Sequence, residues 1–496
     1  MNCFSHLSLK PIHTDIMNFI HSKKQLITSK VLLLLLLLGS ISISSFAKVK
    51  LPAIFSNHMV LQQNAKVNIW GWAKSGAKIT LMPSWDKQKI TGITGQDRKW
   101  KIQISTPGAG GPYTLKISDG EELQINDILI GEVWLCSGQS NMTMPVKGFP
   151  NDPVKGSAEE IMNVKPLMIR VFDVARSTKF GPQDSLKGSW KEVSSENVAN
   201  FSATAWFFGK TIHEKLRIPV GLITSSWGGS NIETWMSKET LGAFPEVKLP
   251  QASDTLKVPN QTPTVLFNNM IHPFIGYNIK GSIWYQGESN RVKPTQYLAL
   301  FTAMVKDWRS SWGVGEFPFY YLQLAPFNYG KGLSSAYLRE AQTKALKQVP
   351  NCGMAILLDA GEEKNIHPSD KKAAGVRLGY LALVKTYGVK GISATGPIYK
   401  SMKITAPSVQ LTFDYAENGL TSWGKELDLF EIAGADRKFY PAIATINKYG
   451  IVVSNLTQVP NPVAVRYAFK DFVIGQLFNN EGLPASSFRT DDWPIE

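Results

Sequence analysis

The chain has 496 residues, 43% of them hydrophobic and 19% charged, and a formal net charge of +14. This is an ordinary globular composition with apolar material for more than one core, and the length suggests roughly two to four domains. The Lys and Arg residues are scattered without a block of five, so the charge reads as a solvated basic surface and not as a nucleic-acid site; three Cys in so long a chain exclude a disulfide framework.

Residues 1–47 have the layout of a secretory signal peptide. Lys23, Lys24 and Lys30 precede the apolar run 31–38, and Ser45-Phe46-Ala47 offers small residues at the −3 and −1 positions of a cleavage site. The run is short of the about 20 residues a membrane span needs, so no stable span is expected after cleavage. Met17 is an alternative start, and no Cys follows the run to carry a lipid. The expectation is export, to a periplasmic or extracellular destination. Removing this leader takes away four Lys, one Asp and Cys3, leaving a net charge of +11 with Cys136 and Cys352. Both lie beside apolar strand-like runs and are expected as buried free thiols. There is no CxxC and no HExxH, so a metal mechanism has no local support and no cofactor is expected.

From 48 to 125 the chain reads as a β module. The stretches 67–70, 78–81, 101–104 and 113–117 alternate in polarity, with Gly, Pro, Asp and Ser between them, which suggests an antiparallel sandwich of short strands. The rhythm changes near 126. Ile128 to Cys136 is nearly unbroken apolar sequence, as expected of a strand covered on both faces. Strands at 168–172, 220–225, 281–284, 319–322 and 354–358 then alternate with helices at 203–216, 295–312, 335–348 and 369–387. Ser369 is placed to cap the last helix. Such alternation implies an α/β domain over 126–398 with a mainly parallel sheet in three layers. Strand rhythm returns at 409–413 and 451–453, giving a C-terminal β module over 399–496, packed on the α/β domain.

Four segments gather chemistry at the carboxyl ends of these strands, the edge where parallel α/β sheets bind ligands. The first is Cys136-Ser137-Gly138-Gln139-Ser140-Asn141-Met142. Ser140 follows a buried strand across a Gly turn, a placement that suits a nucleophile and equally suits a helix cap; the elbow pattern G-x-S-x-G is not met, because position 142 is Met. The second contains His367 in Ile366-His367-Pro368. Among the four His beyond the leader, His58 lies in the β module, His213 in a helix on what reads as a solvated face, and His272 before a strand. His367 alone follows the carboxyl end of a strand, so it is the best-placed general base. Asp359, Glu362 or Glu363 could orient its ring. The third segment is Trp284-Tyr285-Gln286-Gly287-Glu288-Ser289-Asn290. Here Gln286 could donate to a developing oxyanion, and Glu288 could meet His367 or a substrate hydroxyl. The fourth is Ser225-Ser226-Trp227-Gly228-Gly229-Ser230-Asn231, where Gly lets backbone N–H groups approach a ligand closely.

These segments, together with Arg339-Glu340-Ala341-Gln342 and the opening Phe55-Ser56-Asn57-His58-Met59-Val60-Leu61-Gln62, occur in an order that resembles the sialate O-acetylesterase family of the SGNH hydrolases, over about residues 50–490. The resemblance implies a flavodoxin-like three-layer hydrolase domain with flanking β-sandwich modules. It implies Ser140 as nucleophile, His367 as base, and an oxyanion hole from the Ser140 N–H, the Gly229 N–H and the Gln286 side chain. Two departures stand out. Gln286 replaces the Asn usual in the superfamily, and Lys364 stands three residues before the His, where an Asp is usual. The acid is therefore open among Glu288, Asp359 and Glu363, with a Ser–His dyad as the remaining option. Asn141, Asn231 and Trp235 are candidate substrate contacts.

The implied function is an esterase removing O-acetyl groups from carbohydrate, foremost 9-O-acetylated sialic acid, with no nucleic-acid partner. An esterase of another polysaccharide, such as acetylated xylan, shares the same motifs. A carbohydrate-binding protein on a non-catalytic hydrolase scaffold is the reading from another class.

Overall fold

The apolar stretch around 128–136 lies within one strand of 17 residues that organises the whole structure. The computed structural model describes residues 49–494 apart from 252, 331 and 333; the expected leader lies outside the described residues. Six strands come first: β1 (Val60–Gln62), β2 (Lys66–Trp72), β3 (Lys78–Pro83), β4 (Ile90–Ile93), β5 (Lys99–Ser105) and β6 (Gly110–Ser118). The long strand is β7 (Glu122–Gly138). β2 and β5 pair with each other, β3 pairs with β4 and β6, and β6 pairs antiparallel with the first half of β7. β7 alternates in exposure at its start and is buried throughout from Ile128 onward. That is the physical trace of its two roles, with one face covered at first and both faces covered later. The boundary expected at 125/126 therefore falls inside a single strand.

Six further strands follow: β8 (Ile169–Val174), β9 (Gly188–Glu192), β10 (Val220–Ser226), β11 (Gly281–Tyr285), β12 (Phe319–Leu322) and β13 (Cys352–Ala355). With β7 they form a sheet ordered β13–β12–β11–β7–β10–β8–β9, parallel except for β9. This differs from the flavodoxin order, in which the second parallel strand lies beside the first; here β10 stands between β7 and β8. The connection from Gly138 to Ile169 contains only short helices, and its length lets the chain reach past the β10 position. From β7 the chain fills one side, going first to β8 and the edge strand β9 and then back to β10 beside β7, before it crosses to β11 on the other side. β7 is thus the switch strand, and the crevice at its carboxyl end is the natural ligand site.

Alternate strand residues separate two apolar layers. Ile283, Tyr285, Tyr320 and Leu322 pack with the helices Ala203–Leu216 and Lys371–Leu381. Trp284, Phe319, Tyr321 and Met354 pack with the helices Pro294–Trp312 and Ala336–Gln348. The expected helix over 369–387 starts later, because Asp370 and not Ser369 caps it, accepting from the Ala373 N–H at 2.9 Å. After Leu381 it continues as a π-helical turn, Ala382–Thr386.

The C-terminal region adds two four-stranded antiparallel sheets. It is tied to the α/β layer by Arg339, which is fully buried: Nε donates to Ser487 Oγ at 3.0 Å, Nη1 to Ser335 Oγ at 3.2 Å, and Nη2 to the Lys470 carbonyl. The Arg339–Gln342 motif is thus a latch between regions and not a reacting group. From Val49 onward the chain forms one compact unit. Cys136 and Cys352 are free and buried, as anticipated. No helix among the described residues is long and apolar enough to cross a membrane.

Candidate active site

Ser140 opens the short helix Ser140–Thr143 immediately after β7. The turn before it requires Gly138: φ is +138°, and a Cβ there would lie 2.1 Å from the Tyr285 carbonyl oxygen of β11. Two backbone bonds fasten the same turn to both neighbouring strands, Gln139 N–H to Tyr285 O at 2.9 Å and Trp227 N–H to Gly138 O at 3.0 Å. The Gln139 side chain accepts from the Gly287 and Ser289 N–H groups at 3.3 and 3.4 Å, which pins the turn after β11. The helix itself is held from behind, where Ser202 and Thr204 donate to the Met142 and Asn141 carbonyls. Gln139 occupies the N-cap position, so Ser140 is not the cap. Neither its Oγ nor its N–H has a hydrogen-bond partner among the described residues.

His367 reaches the same edge from the loop after β13. Its Nδ1 lies 2.9 Å from Asp152 Oδ2, with side-chain exposures of 20% and 28%. Asp152 closes a tight turn with Phe149, through N–H···O bonds of 2.9 and 3.0 Å in each direction. The Phe149 ring meets the imidazole edge-on at 5.4 Å between centroids. A further bond, Lys155 N–H to Ser369 O at 3.0 Å, joins the two loops. The partner carboxylate is therefore one that sequence reasoning missed, 215 positions away along the chain. The only available signal was its closeness to Ser140 in sequence, within Gly148-Phe149-Pro150-Asn151-Asp152-Pro153, which otherwise reads as a polar turn.

None of the four acids expected beside His367 is bonded to its ring. Asp359 forms a two-pronged pair with Arg377, at 2.7 Å on each oxygen. Glu363 is exposed. Glu362, the neighbouring alternative, accepts from the Ser369 N–H at 2.7 Å. Glu288 is buried and accepts from Asn141 Nδ2 at 2.5 Å. Burial raises its carboxyl above the usual range, opposed by that hydrogen bond and by the charges of Lys371 and His367. It sits close enough to feel the imidazole, but the imidazole's bonded partner is Asp152.

The loop after β10 lies against Ser140: a Cβ on Gly228 would be 3.2 Å from the Ser140 Cβ. Gly229 has φ +67°, and its N–H, like that of Ser140, has no acceptor among the described residues. Gln286 departs from expectation. Its Nε2 donates to Ser230 O at 3.1 Å and to Asn290 Oδ1 at 2.7 Å, so both amide protons are used inside the protein. The orientation is fixed because Asn290 Oδ1 also accepts from the Ile232 N–H, and Asn290 Nδ2 donates to Glu233. Reversing the Gln286 amide would set oxygen against oxygen. Gln286 thus holds the residue after Gly229 and does not offer a free donor.

Two of the expected substrate contacts are also structural. Trp235 is fully buried, donates to Ser230 Oγ at 2.9 Å and packs edge-on against Trp284. The Asn141 side chain is consumed by Glu288, by the Ile366 carbonyl at 3.0 Å and by Lys371. Asn231 is half-buried, and its side chain makes no hydrogen bond among the described residues, so it stays available to a ligand. His213 is buried and bonds the Ile218 carbonyl at 2.7 Å, in place of the solvated position expected. His58, Asp127 and Glu192 cluster at the opposite end of β7, where Arg170 already supplies the cation at 3.2 and 3.0 Å from the two carboxylates.

Comparisons with known proteins show which family the chain resembles. Residues 130–382 match the family model described as carbohydrate esterase, sialic acid-specific acetylesterase. The sialate O-acetylesterase of Homo sapiens is 30% identical, covering 85% of this chain and 87% of its own length. That of Mus musculus is 28% identical, covering 88% and 92%. The crystal structure of a carbohydrate acetylesterase from Xanthomonas citri superposes with a TM-score of 0.82 at 35% identity, covering 90% of this chain and all of that one.

Proposed function

The chain belongs to the sialic acid-specific acetylesterase family of carbohydrate esterases and is a carboxylic ester hydrolase, and from that premise we propose that Ser140, His367 and Asp152 form its catalytic triad. The carrying observation is the pairing of His367 Nδ1 with Asp152 at 2.9 Å in a loop bonded to the residue next to Ser140. Asp152 holds the ring so that Nε2 is the basic nitrogen. His367 Nε2 takes the Ser140 proton as Oγ attacks the acetyl carbonyl. The tetrahedral oxyanion is received by the Ser140 and Gly229 N–H groups, which have no other acceptor to give up. Collapse expels the sugar alkoxide, which leaves with the proton from His367. Water, deprotonated by His367, then attacks the acetyl-enzyme, and acetate departs as Ser140 recovers its proton. Gln286 contributes by holding the carbonyl of Ser230, the residue after Gly229.

The substrate we propose is an O-acetylated sugar, foremost 9-O-acetylated sialic acid, a reading supported by the sialate O-acetylesterases among its relatives. Acetate release is the test, measured from 9-O-acetylated sialic acid and from acetylated xylan at equal ester concentration. Greater kcat/KM on the sialic acid supports the reading, and greater kcat/KM on xylan replaces it with a polysaccharide esterase. Labelling by a fluorophosphonate at Ser140 checks the chemistry separately from the sugar.

We also propose that residues 1–47 direct export and are cleaved, leaving the β and α/β modules as the working protein. The support is the Lys-flanked apolar run and the small residues at 45 and 47. N-terminal sequencing of the mature protein is expected to begin at Lys48.

A further inference from the structure

Lys371 begins the helix Lys371–Leu381, four positions after His367, and is 1% exposed. Its Nζ donates to Asn141 Oδ1 at 2.6 Å and to the Pro368 carbonyl at 2.7 Å. Asn141 in turn donates to Glu288 Oε1 at 2.5 Å and to the Ile366 carbonyl at 3.0 Å. The carbonyls on both sides of His367 are therefore held by one chain of side chains, and the centre of that chain is the residue after Ser140. The Asn141 amide cannot turn over, because an ammonium faces its oxygen and a carboxylate faces its nitrogen.

We propose that Lys371 is a positioning residue of the esterase, which with Asn141 and Glu288 clamps the His367 loop to the Ser140 turn. The proposal rests on the reading of Ser140 and His367 as nucleophile and base. The cost of the arrangement favours it. Two buried charges are separated by an amide and not in direct contact, and burial of this kind lowers stability unless the geometry is well satisfied. Burial lowers Lys371 to about 7, opposed by the carboxylates of Glu288, Glu362, Asp152 and Asp370 that face it. Anchoring the helix does not require this lysine, since Asp370 already caps it. What Lys371 adds is a fixed relation between two catalytic loops more than 200 residues apart, and misplacement of a reacting group by about 1 Å costs roughly 10²-fold in rate.

The test uses 4-nitrophenyl acetate hydrolysis and fluorophosphonate labelling of the full protein. For Lys371→Met we expect a cooperative melt, a kcat lower by about 100-fold, a KM within about threefold of wild type, and labelling of Ser140 slowed in parallel. Lys371→Arg, which keeps the charge and donors, should recover at least about tenfold of that loss. Asn141→Ala breaks the same clamp without touching the helix, so it decides the matter if Lys371→Met does not fold. A folded variant of either kind with kcat within about threefold of wild type, or a loss confined to KM, overturns the proposal. Wild-type protein that fails to label at Ser140 would instead sink the catalytic reading on which it rests.

Discussion

Ser140→Ala is expected to lower kcat on 4-nitrophenyl acetate by about 10⁴-fold or more, in line with the loss of a serine nucleophile in other triads. Thermal stability should hardly move. The Ser140 side chain is half-buried and its Oγ makes no protein hydrogen bond, so the change removes no contact that supports the fold and should stay within about 0.5 kcal/mol. That combination separates the nucleophile from the helix cap that the sequence leaves open. A cap would lose about 1 kcal/mol of stability on going to Ala and leave turnover alone. The structure already gives the N-cap position to Gln139. Turnover near wild type in the Ser140→Ala protein would refute the mechanism.

Asp152→Asn should be the next most damaging change, with kcat reduced by about 10³-fold and KM nearly unchanged. The substituted amide keeps the size of the carboxylate but can offer N–H groups to Nδ1. The wrong imidazole tautomer is then favoured, and the stabilisation of the imidazolium is lost. Partial exposure of the pair, 20% and 28%, places the expected loss below that of a fully buried acid. Two controls give the comparison its force. Glu363→Gln alters an exposed side chain and should leave kcat within about twofold. Asp359→Asn breaks the pair with Arg377 and should register in the melting temperature and not in kcat. If Asp359→Asn or Glu363→Gln abolished turnover while Asp152→Asn did not, the assignment of the acid would be overturned.

Local sequence rules accounted for much of the framework. The helix expected over 203–216 forms as Ala203–Leu216, and β10, β11 and β12 lie where apolar runs between turn residues located them. Periodicity and burial operate over a few residues, so they can be read along the chain. The same is true of Ser140 and His367 as strand-end residues, since each follows a recognisable apolar strand. β9 escaped notice because it is a short edge strand with one buried residue in five, which leaves no periodic signal.

The roles of the polar groups around Ser140 were not legible in this way, because each is set by a partner far along the chain. Asp359 and Asp152 look alike as letters. Asp359 is neutralised by Arg377 across the space between strand and helix, whereas Asp152 is carried to His367 by a turn that needs Gly148, where a Cβ would meet the Asp152 carbonyl at 2.4 Å. Gln286 and Trp235 sit beside the right motifs, yet their donors are absorbed by Ser230 and Asn290. Asn141, which read as a substrate contact, is the centre of a buried chain from Glu288 to Lys371. By itself the sequence determined that Ser140 and His367 stand at the carboxyl edge of an α/β sheet, because strand periodicity and turn chemistry are local. Only the tertiary structure decided which acid serves the histidine and what holds it in place, because hydrogen bonds at 2.5–2.9 Å between residues 147, 215 and 230 positions apart depend on how the loops converge.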